Sequence, residues 1–431
     1  MGNNLWKNEF QMRIHRILLK IVKNDKLYFI VVMFSSIFIM IASKFILGKN
    51  AEEVFDITVF TTLLLEALLV MSVRYIRIVI LNSIEDPNKL TIDYQGLVEF
   101  YASEKNFMET DSLSDGERIP VMQVAWLYDK EIEIHDHPEK EYKLPGIIEK
   151  YYLELLAAHE TSKIYNRIMI RVDDWNIEKT EGKFLIYSGR TTYYNSLVTN
   201  RVMDYEIRKG ISVRNLLECG PMIKPIRYSL LSNHLGFNGF VESEDGEIML
   251  VFRSKYVSIG KKTYGNSVEA SLKYKYALNE ENYFTCEGLE RGITMEIEDE
   301  LGIHKDELQQ DNGGNLGAIH LIAAYRDAVE GGKPQLLFYA KATIGKTALE
   351  ERFYNNVGKS KVTWKSNKES NEKIMKTDGN KLYWISREKI LDYRIYADRI
   401  EYNETKLPMV PSAAASLAML RSYFAGTRKE S

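Results

Sequence analysis

The sequence has little cysteine: two in 431 residues, Cys219 and Cys286. That excludes a disulfide framework and fits a reducing compartment. Strong charge of either sign is also missing, since the net charge is −3. The molecule as a whole is therefore no electrostatic trap for nucleic acid, no DNA or RNA polymer is expected as a partner, and any anion site must be local. There is no internal repeat, P-loop, dinucleotide fingerprint or Ser-His-Asp signal. What remains is 45% hydrophobic and 27% charged, the balance of a folded body, long enough for one large domain or two ordinary ones. The 27 tyrosines suit a β-rich core, a pocket or an interface equally well.

Long apolar runs are confined to the N-terminal part. Leu27–Ser43 is an uncharged run of about 17 residues, near the minimum for a span, followed by Lys44. Ile57–Val73 is similar and is interrupted only by Glu66. Basic residues flank the pair on the outside, while the turn between carries Glu52, Glu53 and Asp56. The positive-inside bias then predicts a two-span hairpin (27–81) with both termini cytoplasmic. Residues 1–26 are expected as a basic amphipathic helix on anionic lipid. Glu66 near mid-bilayer leaves two readings open: a polar contact between protomers or part of a conducting path, or a helix tilted or shorter than drawn in which Glu66 is protonated or snorkels.

Beyond Pro87 the pattern mixes short apolar runs with a helix near 147–158, and residues 82–225 are expected as a linker and α+β extension. No further ligand cluster lies near His135 and His137, which suit a hydrophilic turn better than a metal site. Ile168–Val172, Lys183–Tyr187 and Pro334–Tyr339 are β-rich runs. Gly236–Val241 and Ile248–Phe252, joined through Asp245-Gly246, predict a hairpin. Residues 357–380 suggest an exposed excursion, and a small-residue helix is expected over 412–424.

The informative stretch is Glu287 to Ile303. As a helix it lines up Leu289, Ile293, Ile297 and Leu301 in an apolar stripe, with Gly302 as the left-handed C-cap. Glu296, Asp299 and Glu300 fall on another face. Three converging carboxylates repel unless a cation sits among them, and Mg2+ carrying a diphosphate suits hard oxygen ligands. On helical spacing alone, the alternative is a solvated acidic face.

Glu287, seven residues, then Met295-Glu-Ile-Glu-Asp-Glu-Leu-Gly-Ile303 resembles the Nudix box. Glu287, Glu296, Ile297, Glu300, Gly302 and Ile303 fall on its pattern, and Asp299 replaces a glutamate. Glu281 stands at the opening glycine position and Met295 at the arginine that orients the metal-binding carboxylates. The segments 232–241, 245–253 and 331–338 are similar to the family's flanks. The resemblance implies a Nudix-like domain over 226–431, a mixed β-sheet sandwiched between helices. The fold class expected is thus an α-helical two-span hairpin plus an α+β Nudix-like domain.

Two spans before such a domain resemble the effectors of cyclic-oligonucleotide-based antiphage signalling systems (CBASS). That likeness implies a sensor that binds a cyclic oligonucleotide, assembles into a homo-oligomer and disrupts the bacterial inner membrane, with no cofactor required for sensing. Phosphate recognition would fall to Arg253, Lys255, Lys261, Lys262, Lys273 and Lys275, interleaved with Tyr256, Tyr264 and Tyr274, unless these are merely solvated strand residues. The alternative is a tethered hydrolase of nucleoside diphosphate derivatives, with Mg2+ on Glu296, Asp299 and Glu300.

Overall fold

The computed structural model describes residues 68, 71, 89–111, 117–159, 166–176, 182–253, 260, 262–310, 315–366 and 379–430. The chain divides into two compact units, Met1–Pro87 and Asn88–Ser431. All the named strands and helices lie in the second unit.

In chain order the strands are β1 (Phe107–Glu109), β2 (Arg118–Trp126), β3 (Glu131–Glu141), β4 (Ile168–Asn176) and β5 (Lys183–Thr192). A small ribbon of β6 (Glu206–Arg208) and β7 (Ile211–Ser212) comes next. Then come β8 (Gly236–Glu242), β9 (Glu247–Arg253), β10 (Tyr264–Gly265), β11 (Val268–Ser271), β12 (His320–Asp327) and β13 (Lys333–Lys341). β14 (Gly379–Ser386), β15 (Arg394–Ile395), β16 (Arg399–Tyr402) and β17 (Thr405–Pro408) follow. The principal helices are α1 (Tyr94–Phe100), α2 (Cys286–Leu301), α3 (Lys346–Ser366) and α4 (Pro411–Glu430).

Nine strands make one sheet in the order β1-β2-β12-β13-β8-β9-β10, with β11 added on β8 and β14 on β9. The pairing of β13 with β8 is parallel, with Gln335 opposite Gly236 and Lys341 opposite Glu242. A strand covered on both faces can be apolar at every position, which accounts for the run Leu336-Leu-Phe-Tyr-Ala340. Alternate residues point to opposite faces. Phe237, Val241, Leu336 and Phe338 join a core that includes α2 and the separate sheet β3-β5-β4. Phe240, Leu337 and Tyr339 join the other core, against α4. On that side Tyr325, buried in β12, shares its hydroxyl with Ser412 and Ser416 of α4 at 3.0 and 3.2 Å.

Helix α2 starts where Thr285 Oγ1 accepts from Gly288 N at 3.1 Å. It stops at Gly302, whose φ of 75° a side chain would disfavour. Leu289, Ile293, Ile297 and Leu301 are all buried, each contributing about 2 kcal/mol of burial.

The membrane expectation is corrected here. Among the described residues no helix is long and apolar enough to cross a membrane. α4 has the length, but Arg421 binds Asp111 at 2.6 Å, and Ser412 and Ser416 bond within the body. The 1–26 helix, Lys44 and Glu66 lie outside the described residues, as does all of 27–81 except residues 68 and 71. A two-span, inner-membrane molecule therefore finds no support, nor does the effector layout built on it. In place of the expected helical hairpin plus α+β Nudix-like domain stands a mixed α/β body with large sheets.

Gly288 sets how closely α2 approaches the short helix Tyr274–Ala277, because a methyl there would overlap the Ala277 carbonyl. Gly288→Ala should lower unfolding free energy by about 2 kcal/mol. Gly426→Ala, on α4 with open space around it, should raise it by about 0.5–1 kcal/mol. Urea unfolding of the two variants checks the contrast.

Candidate functional site

Lys273 leaves the end of β11 held on two sides. Leu272 N donates to Leu235 O at 3.1 Å, and the Lys273 backbone bridges to Met169 of β4. Its side chain then crosses to α2. The ammonium lies 2.6 Å from Glu296 Oε1 and 3.2 Å from Asp299 Oδ2. Gly292 opens this side of the helix, since a methyl there would strike Leu272. From α2, Arg291 donates back to the carbonyls of Tyr276 and Leu278 at 2.8 and 2.5 Å, so the segment and the helix are stitched from both sides.

The expected acidic face is therefore not a solvated one. Glu296 is 4% exposed, Asp299 and Glu300 are half-buried, and the positive charge among them is an internal ammonium. Burial alone would lower the Lys273 pKa, but Glu296 and then Asp299 hold it above the usual lysine value. The donor set does not fit Mg2+, because Lys273 takes the position from which a cation would reach Glu296 and Asp299 together. Among the described residues no group of three acidic, histidine or cysteine side chains is disposed to hold a metal ion.

Of the other basic candidates, Arg253 and Lys262 are backbone neighbours, Lys262 N donating to Arg253 O at 3.1 Å. Arg253 is buried and paired with Glu269 of β11. Lys262 sits in the turn after β9 with φ 61°. Lys275 is exposed, with its ammonium 4.2 Å over the Tyr276 ring. Lys255 and Lys261 lie outside the described residues. His135 and His137 stand on strand β3 instead of a turn, paired with Glu133 at 2.8 Å and Glu139 at 3.4 Å.

Two groups that the sequence does not flag organise the surroundings. Asp136 of β3 and Arg190 of β5 form a two-pronged ion pair, both bonds 2.6 Å, with each side chain at most 3% exposed. Asp136 also accepts from Phe284 N at 2.8 Å, and Arg190 donates to Asn282 O at 3.3 Å. Desolvation opposes the Asp136 charge, yet Arg190 and the Phe284 amide hold its carboxyl below the usual range. The second group lies at the turn between β12 and β13. There Arg201 meets Glu330 at 2.9 Å and Lys333 lies 3.7 Å from the same oxygen. Asp327, fully enclosed beside them, has its carboxyl pushed up to about 7 by burial and then by Glu330. Burial also takes Lys333 down to about 8 and holds His234 well below the ordinary histidine value.

No family model matches the chain, and no curated protein matches it. Among solved structures, that of DR0079 from Deinococcus radiodurans is similar over 36% of this chain and 69% of that chain, with 12% identity and a TM-score of 0.22. A likeness that weak carries no argument. The resemblance of 287–303 and its flanks to the Nudix box, and of the whole layout to CBASS effectors, thus has no family match behind it.

Two outcomes follow from these charges. Lys273→Met should cost about 3 kcal/mol, because it strands the buried Glu296 carboxylate. A raised lysine pKa means that this contribution is complete below 10.5 and is lost as pH rises through the higher folded value. Urea midpoints for wild type and variant should therefore stay a fixed distance apart from about pH 6 to about pH 9 and converge in stronger alkali. For Asp327 the raised pKa favours the folded state at low pH, and that advantage is lost as pH climbs through about 7. Asp327→Asn keeps the acceptor for Val329 N, bonded at 2.9 Å, without the charge. The two should be closest near pH 4, and Asp327→Asn should pull ahead as pH rises, the gap levelling off above about 7, as read from the same midpoints.

Proposed function

We propose that the chain is a ligand-binding sensor that works without a bound metal, its ligand a cyclic oligonucleotide. The observation that carries the metal-free part is Lys273, whose ammonium sits 2.6 Å from Glu296 and 3.2 Å from Asp299. A carboxylate set neutralised from within has no need of Mg2+, and a divalent ion entering it would have to expel a largely buried ammonium first. Turnover of a diphosphate, which depends on metal to stabilise the leaving oxygens, is correspondingly disfavoured. A phosphate-bearing ligand with flat rings is supported by a cation lying against a tyrosine, Arg171 with its guanidinium 5.4 Å over the Tyr142 ring. Binding that favours an assembled state would draw the protein into a homo-oligomer.

The test is calorimetry of the full chain against cyclic di- and trinucleotides in excess chelator, with phosphate release from nucleoside diphosphate derivatives followed in Mg2+. Binding should survive the chelator, scattering mass should rise with ligand, and no phosphate should appear. Mg2+-dependent release that Glu300→Gln abolishes would instead establish a hydrolase.

A further inference from the structure

Strand β5 is flanked on both sides by irregular pairing at the same level. On one side β3 runs from Asp136 to Glu141 while β5 runs only from Ser188 to Arg190. On the other, β4 runs from Val172 to Asp174 while β5 moves one residue, from Ser188 to Tyr187. Extra residues break the alternation of a strand and re-aim its side chains. Sequence neighbours that regular strands would send to opposite faces consequently line one cleft: Asp173 with Asp174, and Lys140 with Glu141. Gly189 permits this closure, since a methyl there would come within 2.7 Å of the Lys140 carbonyl and 2.9 Å of Asp173 Oδ2.

The cleft has a volume of about 440 Å3, inside the range of small-molecule sites. Three cations, Lys140, Arg171 and Arg227, face three carboxylates, with Tyr142 and Tyr187 between them. The two arginines are held differently. Arg171 is mostly buried, paired with Asp173, its guanidinium 5.4 Å over the Tyr142 ring. Arg227 is half exposed and reaches Asp174 at 2.7 Å, so it is the one free to swing onto a ligand. The Tyr187 ring is stacked on His135, with centroids 5.0 Å apart, and His135 is in turn tied to Glu133. That makes it a fixed aromatic platform.

We infer that this cleft binds a nucleoside phosphate, with the phosphate on Arg227 and Lys140, the base against Tyr187, and its N–H groups donating to the carboxylates. The three carboxylates balance the three cations, so the cleft offers a bare inorganic anion no net positive charge. A ligand carrying both an anion and hydrogen-bond donors around a flat ring satisfies every group present. The inference rests on the sensor reading and gives that reading a location.

The full chain is titrated calorimetrically with GMP, AMP and the cyclic dinucleotides, as wild type and as Arg227→Ala, Lys140→Ala and Lys275→Ala. Both cleft variants alter exposed side chains and should keep the fold, which far-ultraviolet circular dichroism checks. Nucleotide affinity should fall about tenfold or more in each of them and stay unchanged in Lys275→Ala. Binding that ignores Arg227 and Lys140 but weakens with Lys275→Ala overturns the cleft and leaves the sensor standing. Mononucleotide binding that depends on Arg227, with no cyclic dinucleotide bound, keeps the cleft and overturns the choice of cyclic ligand. No binding of any nucleotide overturns both.

Discussion

The contact between Asp136 and Arg190 is the constraint on which the arrangement of this body turns. It joins β3 to β5, which carry no hairpin between them, and it reaches beyond the sheet. Through the Phe284 amide and the Asn282 carbonyl it fixes the segment that leads into α2. Arg190 also lies 5.5 Å over the Tyr274 ring, one residue after Lys273. A buried ion pair by itself contributes little net stability, because desolvation offsets attraction. Its effect here is geometric. Five groups from four segments are satisfied only in one arrangement, so the three-stranded sheet and α2 are held in a single register.

That register decides the chemistry of α2. Lys273 arrives at Glu296 and Asp299 because the strand before it is pinned to Leu235 and Met169, and because Gly288 and Gly292 let the helix come close. An ammonium delivered in this way does what a divalent ion does elsewhere for a carboxylate cluster, without coordination geometry or exchangeable waters. It also uses up the cation that the same sequence offers for phosphate binding. Arg253 is consumed similarly by Glu269. Accessible cations among the described residues include Lys140 on the second sheet, Lys262 after β9 and Lys275 on the short helix after Lys273.

Local features were legible in the sequence. The hairpin around Asp245-Gly246 forms, with Gly246 at φ 80°. The stripe on α2 is buried, and Gly302 ends the helix. Each of these depends on residues within one or two turns of each other, where periodicity and turn chemistry act. The single helix expected near 147–158 is two short ones, Gly146–Glu149 and Tyr152–Ala157, broken at Tyr151, whose φ of −105° and ψ of 11° leave helical geometry. The candidate site was legible only as residue types. Which cation meets which carboxylate depends on strand pairings between distant segments, as with Lys273 and α2 or Asp136 and Arg190. The paired irregularities beside β5 leave no compositional trace, so Tyr187, Arg171 and Arg227 gave no signal at all. Apolar length found no counterpart: the uncharged run 27–43 comes near a span criterion but lies outside the described residues, and no described helix meets that criterion.

The parallel contact between β13 and β8 has a consequence for how the molecule is made. Residues 236–242 find this partner only at 335–341, and β2 at 118–126 pairs with β12 at 320–327. A ribosome therefore exposes most of the polypeptide before the middle of the main sheet can close. Until then an emerging β8 shows a bare hydrogen-bonding edge with apolar side chains on both faces, a surface that other nascent chains can pair with. Birth of this protein is a race between finishing translation and sticking to a neighbour, and slower elongation past residue 242 would tilt it toward the second.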